Sequence, residues 1–163
     1  MMAIVNRLDK RRVASALKRA PWVGLMAQRL YRTWQPWVTI GAVGAIFDDD
    51  GCLLVVEHVF HPVFPWGMPG GWMLPNEDPD ETVRREVFEE TGLQIDVLKP
   101  LIVSRTPHLS RHLDMAYLCH AGHGDIHLSS ELLGYQWADP HNTPPLADFH
   151  IKVLEAALLE RAE

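Results

Sequence analysis

Gly71-Trp-Met-Leu-Pro-Asn-Glu77-Asp-Pro-Asp-Glu-Thr-Val-Arg-Arg85-Glu86-Val-Phe-Glu89-Glu90-Thr-Gly92-Leu93 is the stretch that decides the fold. Its second half carries Glu86, Glu89 and Glu90 at i, i+3 and i+4, a spacing that puts all three carboxylates on one face of a helix. Like charges so placed repel at a cost of roughly 0.2–0.5 kcal/mol per pair. A helix shaped only for stability would carry Lys or Arg at one of these positions. A divalent cation among the carboxylates removes the conflict, and an oxygen-only ligand set selects Mg²⁺, with Mn²⁺ as its close relative. The helix also announces its ends. Asp78 reads as the N-cap, Pro79 as the first helical residue, Glu81 as the partner in a capping box and Gly92 as the C′ residue.

These residues resemble the Nudix box: Gly, five residues, Glu, seven residues, Arg-Glu, an aliphatic, any residue, Glu-Glu, any residue, Gly, then an aliphatic. Gly71, Glu77, Arg85, Glu86, Val87, Glu89, Glu90, Gly92 and Leu93 stand at those spacings. Pro69-Gly70 matches the usual entry to the box. Asn76 replaces the Gly that many members carry before the Glu, and Asn tolerates a left-handed backbone better than most residues. The resemblance implies an α/β Nudix fold, a mixed β-sheet sandwiched between α-helices. It also implies cleavage of a diphosphate linkage in a nucleoside diphosphate joined to another group. Glu86 and Glu90 are then the main metal ligands, and Glu89 completes the set or helps to deprotonate the attacking water. The carbonyl of Gly70 is a further ligand. Arg85 would pair with Glu89 at i+4 and with Glu77 in the loop, fixing two carboxylates with one planar fork. Many members place another glutamate downstream as ligand or base. Glu131 fits that description here, with Asp114 as the alternative.

The surrounding chain extends this pattern. From Val38 to Phe47 runs a β-branched and apolar stretch, followed by the turn Asp48-Asp49-Asp50-Gly51 and a returning strand from Leu53 to Val56. Residues 59–68, with Pro62, Pro65 and Gly67, read as a loop. Strands are expected over 94–104 and 113–120, with a short one at Tyr135–Trp137. A closing helix is expected from Leu146 to Leu159, its apolar face carrying Phe149, Val153, Ala156 and Leu159. The Nudix domain is therefore expected over 38–163, preceded by a basic amphipathic helical arm over 1–37. In the arm, residues 4–20 form one amphipathic pattern. Trp22, Met26, Leu30 and Trp34 recur at steps of four in a second, which Pro36 ends.

Charge separates the same two regions. Residues 1–38 hold eight Lys/Arg against Asp9 alone, whereas residues 39–163 hold seven against 20 acids. The acidic body argues against broad nucleic-acid binding. Three readings stay open for the arm: packing on the domain or on a second subunit, lying on an anionic membrane surface, or touching nucleic acid. The first is the expectation, as a homodimer. Cys52 and Cys119 sit in apolar runs and read as free thiols of a cytoplasmic protein. Neither a spanning helix nor a signal peptide is expected.

Nine histidines raise the question of zinc. The pairs His58/His61 and His108/His112 lack a third ligand at zinc-finger spacing, so a surface or substrate-facing role is expected instead. Phe60, Phe64, Trp66 and Trp72 flank the cleft in sequence and read either as core or as a stacking surface for a base. Thr106-Pro107-His108 loosely resembles the downstream proline of members acting on ADP-ribose, and Arg105 and Arg111 beside it are candidates to meet phosphates. ADP-ribose or a similar nucleotide derivative is the leading substrate reading. The alternatives are a house-cleaning nucleoside triphosphate pyrophosphohydrolase and a non-catalytic nucleotide sensor, although no box acid is missing.

Overall fold

The structure, a computed structural model, describes residues 14–15, 18–105 and 109–162. The chain divides into two compact units between Trp37 and Val38. In the first, the helix α1 spans Pro21–Thr33, and Pro at its start occupies a position where the missing N–H costs nothing. Within its own unit α1 buries none of its residues. The pattern read over 4–20 falls mostly outside the described residues.

The second unit is built on a seven-stranded mixed sheet: β1 Thr39–Phe47, β2 Leu53–His58, β3 Trp66–Gly67, β4 Gly70–Trp72, β5 Ile95–Arg105, β6 His112–Ala121 and β7 Leu132–Ala138. The strands run in the order β3-β2-β1-β6-β5, with β4 pairing β1 and β7 pairing β2. β1 and β6 are parallel over the whole of β1, and all the other pairs are antiparallel. The Asp48–Gly51 turn closes the first hairpin as its sequence requires. Asp48 Oδ1 accepts from the Cys52 N–H at 2.7 Å, and Gly51 adopts φ 82°. The stretch 59–68 is not all loop. Its end supplies β3, because Trp66 and Gly67 find backbone partners in Glu57 and Val56 that local sequence does not reveal.

Two helices cover the two faces of the sheet, as the resemblance implies. The helix α2, Pro79–Thr91, packs Val83 and Val87 against Ala42, Ile46 and Leu54. The helix α3, Asp148–Arg161, packs Val153, Leu154 and Ala157 against Ala45, Phe47 and Val55. The buried row of α3 differs from the expected one. Leu159 is 73% exposed. At about 100° per residue it lies some 240° around the helix from Val153, whereas Ala157 lies only about 40° away. Cys119 is buried and Cys52 half-buried, both as free thiols. Among the described residues no helix is long and apolar enough to cross a membrane.

Candidate active site

The box helix begins and ends where its sequence says. Glu81 Oε2 accepts from the Asp78 N–H at 3.0 Å, and Gly92 closes the helix in the left-handed conformation at φ 72°. Asn76 also takes a left-handed φ of 66°, which lets the loop turn back and present Glu77 to the helix. Arg85 meets it there. Its Nε donates to Glu77 Oε1 at 2.7 Å and its Nη2 to Glu77 Oε2 at 3.0 Å. The same guanidinium donates from Nη1 to Glu86 Oε1 at 2.8 Å and to Glu89 Oε2 at 3.1 Å, and from Nη2 to the Trp72 carbonyl at 3.0 Å. Glu77 is held further by the Leu74 N–H and the Thr82 hydroxyl. The Arg85 hydrogen bonds, followed by the Leu74 N–H, pull its carboxyl down to about 2. Arg85 is raised in turn, first by its bonds to Glu77 and then by Glu86.

Glu90 sits deeper. Its side chain is buried, with Oε2 accepting from the Gly70 N–H at 3.1 Å. Burial pushes its carboxyl up to about 8. The Gly70 hydrogen bond opposes the shift, and the charges of Glu86, Glu131 and Glu89 add to it. The charges of Glu86, Glu89 and Glu131 thus all reach Glu90, and Glu90 and Glu86 lie against Gly70 and Gly71. A side chain on Gly70 would meet backbone, and one on Gly71 would displace the end of the Glu86 side chain. A Cβ on Gly70 would lie 2.3 Å from the Ala42 carbonyl, and one on Gly71 would lie 2.3 Å from the Glu86 carboxyl carbon. The donor set suits a divalent cation. It offers hard oxygen atoms only, in a cluster whose excess negative charge helps to hold one buried carboxyl in its protonated range. Among the described residues no three acid, His or Cys side chains are arranged ready to hold a metal ion. Arg85 takes up one oxygen of Glu86 and one of Glu89.

A cavity of about 350 Å³ opens beside Gly70, Gly71 and Trp72 of β4 and reaches His58, His112 and His150. A wider hollow of about 660 Å³ runs along the outer flank of α2, but it includes none of Gly70, Glu86 and Glu90. None of the clustered glutamates lines the smaller cavity either, but its wall includes Gly70 and Gly71, against which Glu90 and Glu86 lie, whereas the wider hollow takes in Glu77 and Arg85 of the clasp. His112 lies against Trp72 with ring centroids 4.6 Å apart, and its Nε2 is 3.0 Å from Asp114 Oδ1. Asp114 thus faces the cavity, while Glu131 is the acid whose charge reaches Glu90. Arg105 and Arg111 do not line this cavity. Thr106, Pro107 and His108 lie outside the described residues. Phe60, Phe64 and Trp72 are exposed, so of the four cleft aromatics only Trp66 packs against the core. His150 is the site residue that sequence reading misses. It belongs to the first turn of α3, and nothing local marks it.

A mixed sheet held between two helices, with the capped glutamate helix bound to a glycine edge, is the architecture that the resemblance to the Nudix box implies. The NUDIX domain model matches residues 36–157, and the chain belongs to the Nudix hydrolases, which act on nucleotides and generally use divalent metals. It is 32% identical over 130 residues to the mouse nucleoside diphosphate-linked moiety X motif 6 protein, covering 74% of this chain but 40% of that protein. It is 30% identical over 110 residues to the nucleoside triphosphatase NudI of Salmonella heidelberg, covering 58% of this chain and 78% of that protein. Among solved structures, a MutT Nudix hydrolase from Burkholderia pseudomallei superposes with a TM-score of 0.65 at 25% identity, covering 74% of this chain and 98% of that one.

Proposed function

We propose that the chain hydrolyses the diphosphate linkage of a nucleoside diphosphate joined to a second moiety, with ADP-ribose or a similar derivative as the substrate class. The observation that carries this reading is the Arg85 clasp, which holds Glu77, Glu86 and Glu89 on one guanidinium, with Glu86 against Gly71 at the wall of a cavity. Glu86, Glu90, Glu89 and the Gly70 carbonyl would hold Mg²⁺, or Mn²⁺ in its place. When bound, the cation neutralises charge on the diphosphate and activates a water for in-line attack at phosphorus. Arg85 and Glu77 orient the ligands without touching the reacting atoms. Glu131, or Glu89 on the helix, takes the proton from the attacking water at its carboxylate.

The name of the mouse relative supports a diphosphate carrying a second group, and the cavity beyond Gly71 gives such a group room. The name of the Salmonella relative supports a second reading, pyrophosphate release from a nucleoside triphosphate. Product analysis with Mg²⁺ separates the two. AMP from ADP-ribose is the expected result, pyrophosphate from a triphosphate would favour the second reading, and no turnover of any nucleotide would favour a sensor. We further propose that residues 1–37 form an arm whose Trp22, Met26 and Leu30 join two copies in a homodimer, since such a row is costly to leave in water. The unpaired thiols fit a reducing cytoplasm.

A further inference from the structure

The cavity beside Gly70–Gly71 does not end at its histidines. A groove of about 360 Å³, walled by Phe60, Val63, Phe64 and Trp66, shares His61, Ala147 and His150 with it. These two hollows adjoin along that shared wall and together make up a path beside the Gly70–Gly71 edge. Three imidazoles make its neck. The His58 and His61 rings are 4.8 Å apart, and a Cβ on Gly67 would lie 3.2 Å from His150 Nε2 and 3.5 Å from His58 Nε2. His150 is anchored there by accepting from the Met68 N–H at Nδ1, 3.3 Å away.

Two properties of the path restrict what it can take. Its described lining includes neither Lys nor Arg, and its one acid is Asp114 at the inner end. Burial holds both His58 and His150 at about 4, so they are neutral at physiological pH. A phosphate or carboxylate entering the path would lose water without gaining a cation. The outer end is apolar and open. Phe60 is 74% and Val63 79% exposed, with Val59 and Phe64 exposed beside them. An apolar cluster of this kind on a short loop marks a binding surface, and its continuity with the cavity indicates which ligand covers it.

We propose that the path is a subsite for an uncharged group with an apolar far end, carried on the substrate diphosphate. The His58–His61–His150 neck would admit it and Phe60, Val63, Phe64 and Trp66 would hold its end. This rests on the diphosphate lying at the Gly70–Gly71 edge and narrows the reading above from ADP-ribose to a nucleoside diphosphate whose second group is apolar at its far end.

The test uses the full chain with methyl, butyl and octyl esters of ADP, and with their non-hydrolysable methylene analogues for calorimetry. Both kcat/KM and affinity should rise about tenfold or more from methyl to octyl. Val63→Asp and Phe64→Ser should each lower the octyl-to-methyl ratio about fivefold or more, on the same burial argument. A ratio near one in the wild type, or one unchanged in both variants, overturns the proposal. If no ester is hydrolysed but analogue binding still grows with chain length and collapses in Val63→Asp, the subsite stands and the hydrolytic reading fails. If chain length has no effect and Val63→Asp instead abolishes sedimentation with phosphatidylcholine–phosphatidylserine vesicles, the loop is a membrane contact and the proposal is wrong.

Discussion

Arg85 grips Glu77 with two parallel hydrogen bonds, Nε to Oε1 at 2.7 Å and Nη2 to Oε2 at 3.0 Å, and so ties the loop before the box helix to the helix itself. The remaining nitrogen reaches Glu86 and Glu89, so one planar group sets three carboxylates at once. Arg85→Lys keeps the charge and loses the fork. Turnover should fall by on the order of 10²-fold, the cost of a misplaced catalytic group, and stay low at saturating Mg²⁺. A Mg²⁺ titration of kcat checks this. Full recovery with excess metal would mean that Arg85 tunes metal affinity rather than geometry.

Glu90→Gln keeps the shape of the side chain and removes its charge. Turnover should drop by on the order of 10²–10⁴ with the fold intact. Stability supplies a second readout. The folded carboxyl is raised from 4.5 to about 8, so the folded state binds the proton more tightly than the unfolded chain does. In EDTA, wild-type stability should therefore decline as pH rises from about 4.5 to about 8. Glu90→Gln should remove that part of the decline, and Mg²⁺ should offset it in the wild type alone. Urea unfolding at several pH values measures all three.

His58 and His150 act in the opposite sense. Burial lowers both from 6.5 to about 4, so their contribution to stability is complete above pH 6.5 and is lost as pH falls toward 4. His150→Asn can still accept from the Met68 N–H through Oδ1 and has no proton to gain. Its acid unfolding curve should be flatter than that of wild type over this window. An unchanged curve would place the titration elsewhere.

Gly71→Ala tests the glycine edge. Its Cβ would press on the Glu86 carboxylate, whose two oxygens would lie at 2.5 and 2.6 Å. Glu86 must swing away, and activity should fall by about tenfold or more through misplacement of a ligand. Circular dichroism should show the sheet retained, which separates a displaced ligand from a lost fold.

Trp22→Gln combined with Leu30→Gln tests the arm. Both residues lie on α1, and their removal should shift the full chain from dimer toward monomer in light scattering. A monomeric wild type would end the dimer reading. Release from anionic vesicles at high salt would then favour the membrane alternative.

Much of the site is legible in the sequence alone. The Glu86–Glu89–Glu90 face, the Asp78 and Gly92 ends, the left-handed Asn76 and the Asp48–Gly51 hairpin all follow from spacing within a few residues, where helix and turn geometry leave little choice. The Arg85–Glu77 clasp, eight residues apart, follows from family resemblance. Other features need the whole fold. His150 bonds to Met68 across 82 residues, Gly71 is crowded only because Glu86 lies against it, and Trp66–Gly67 becomes a strand only because β2 offers an edge. Local geometry repeats wherever a pattern occurs, whereas these contacts depend on the order of the strands and on how α3 is laid across them. The carboxylate chemistry is accordingly written in one helix, and the shape of the cavity beside it arises where β1, β2, β4, β6 and α3 meet.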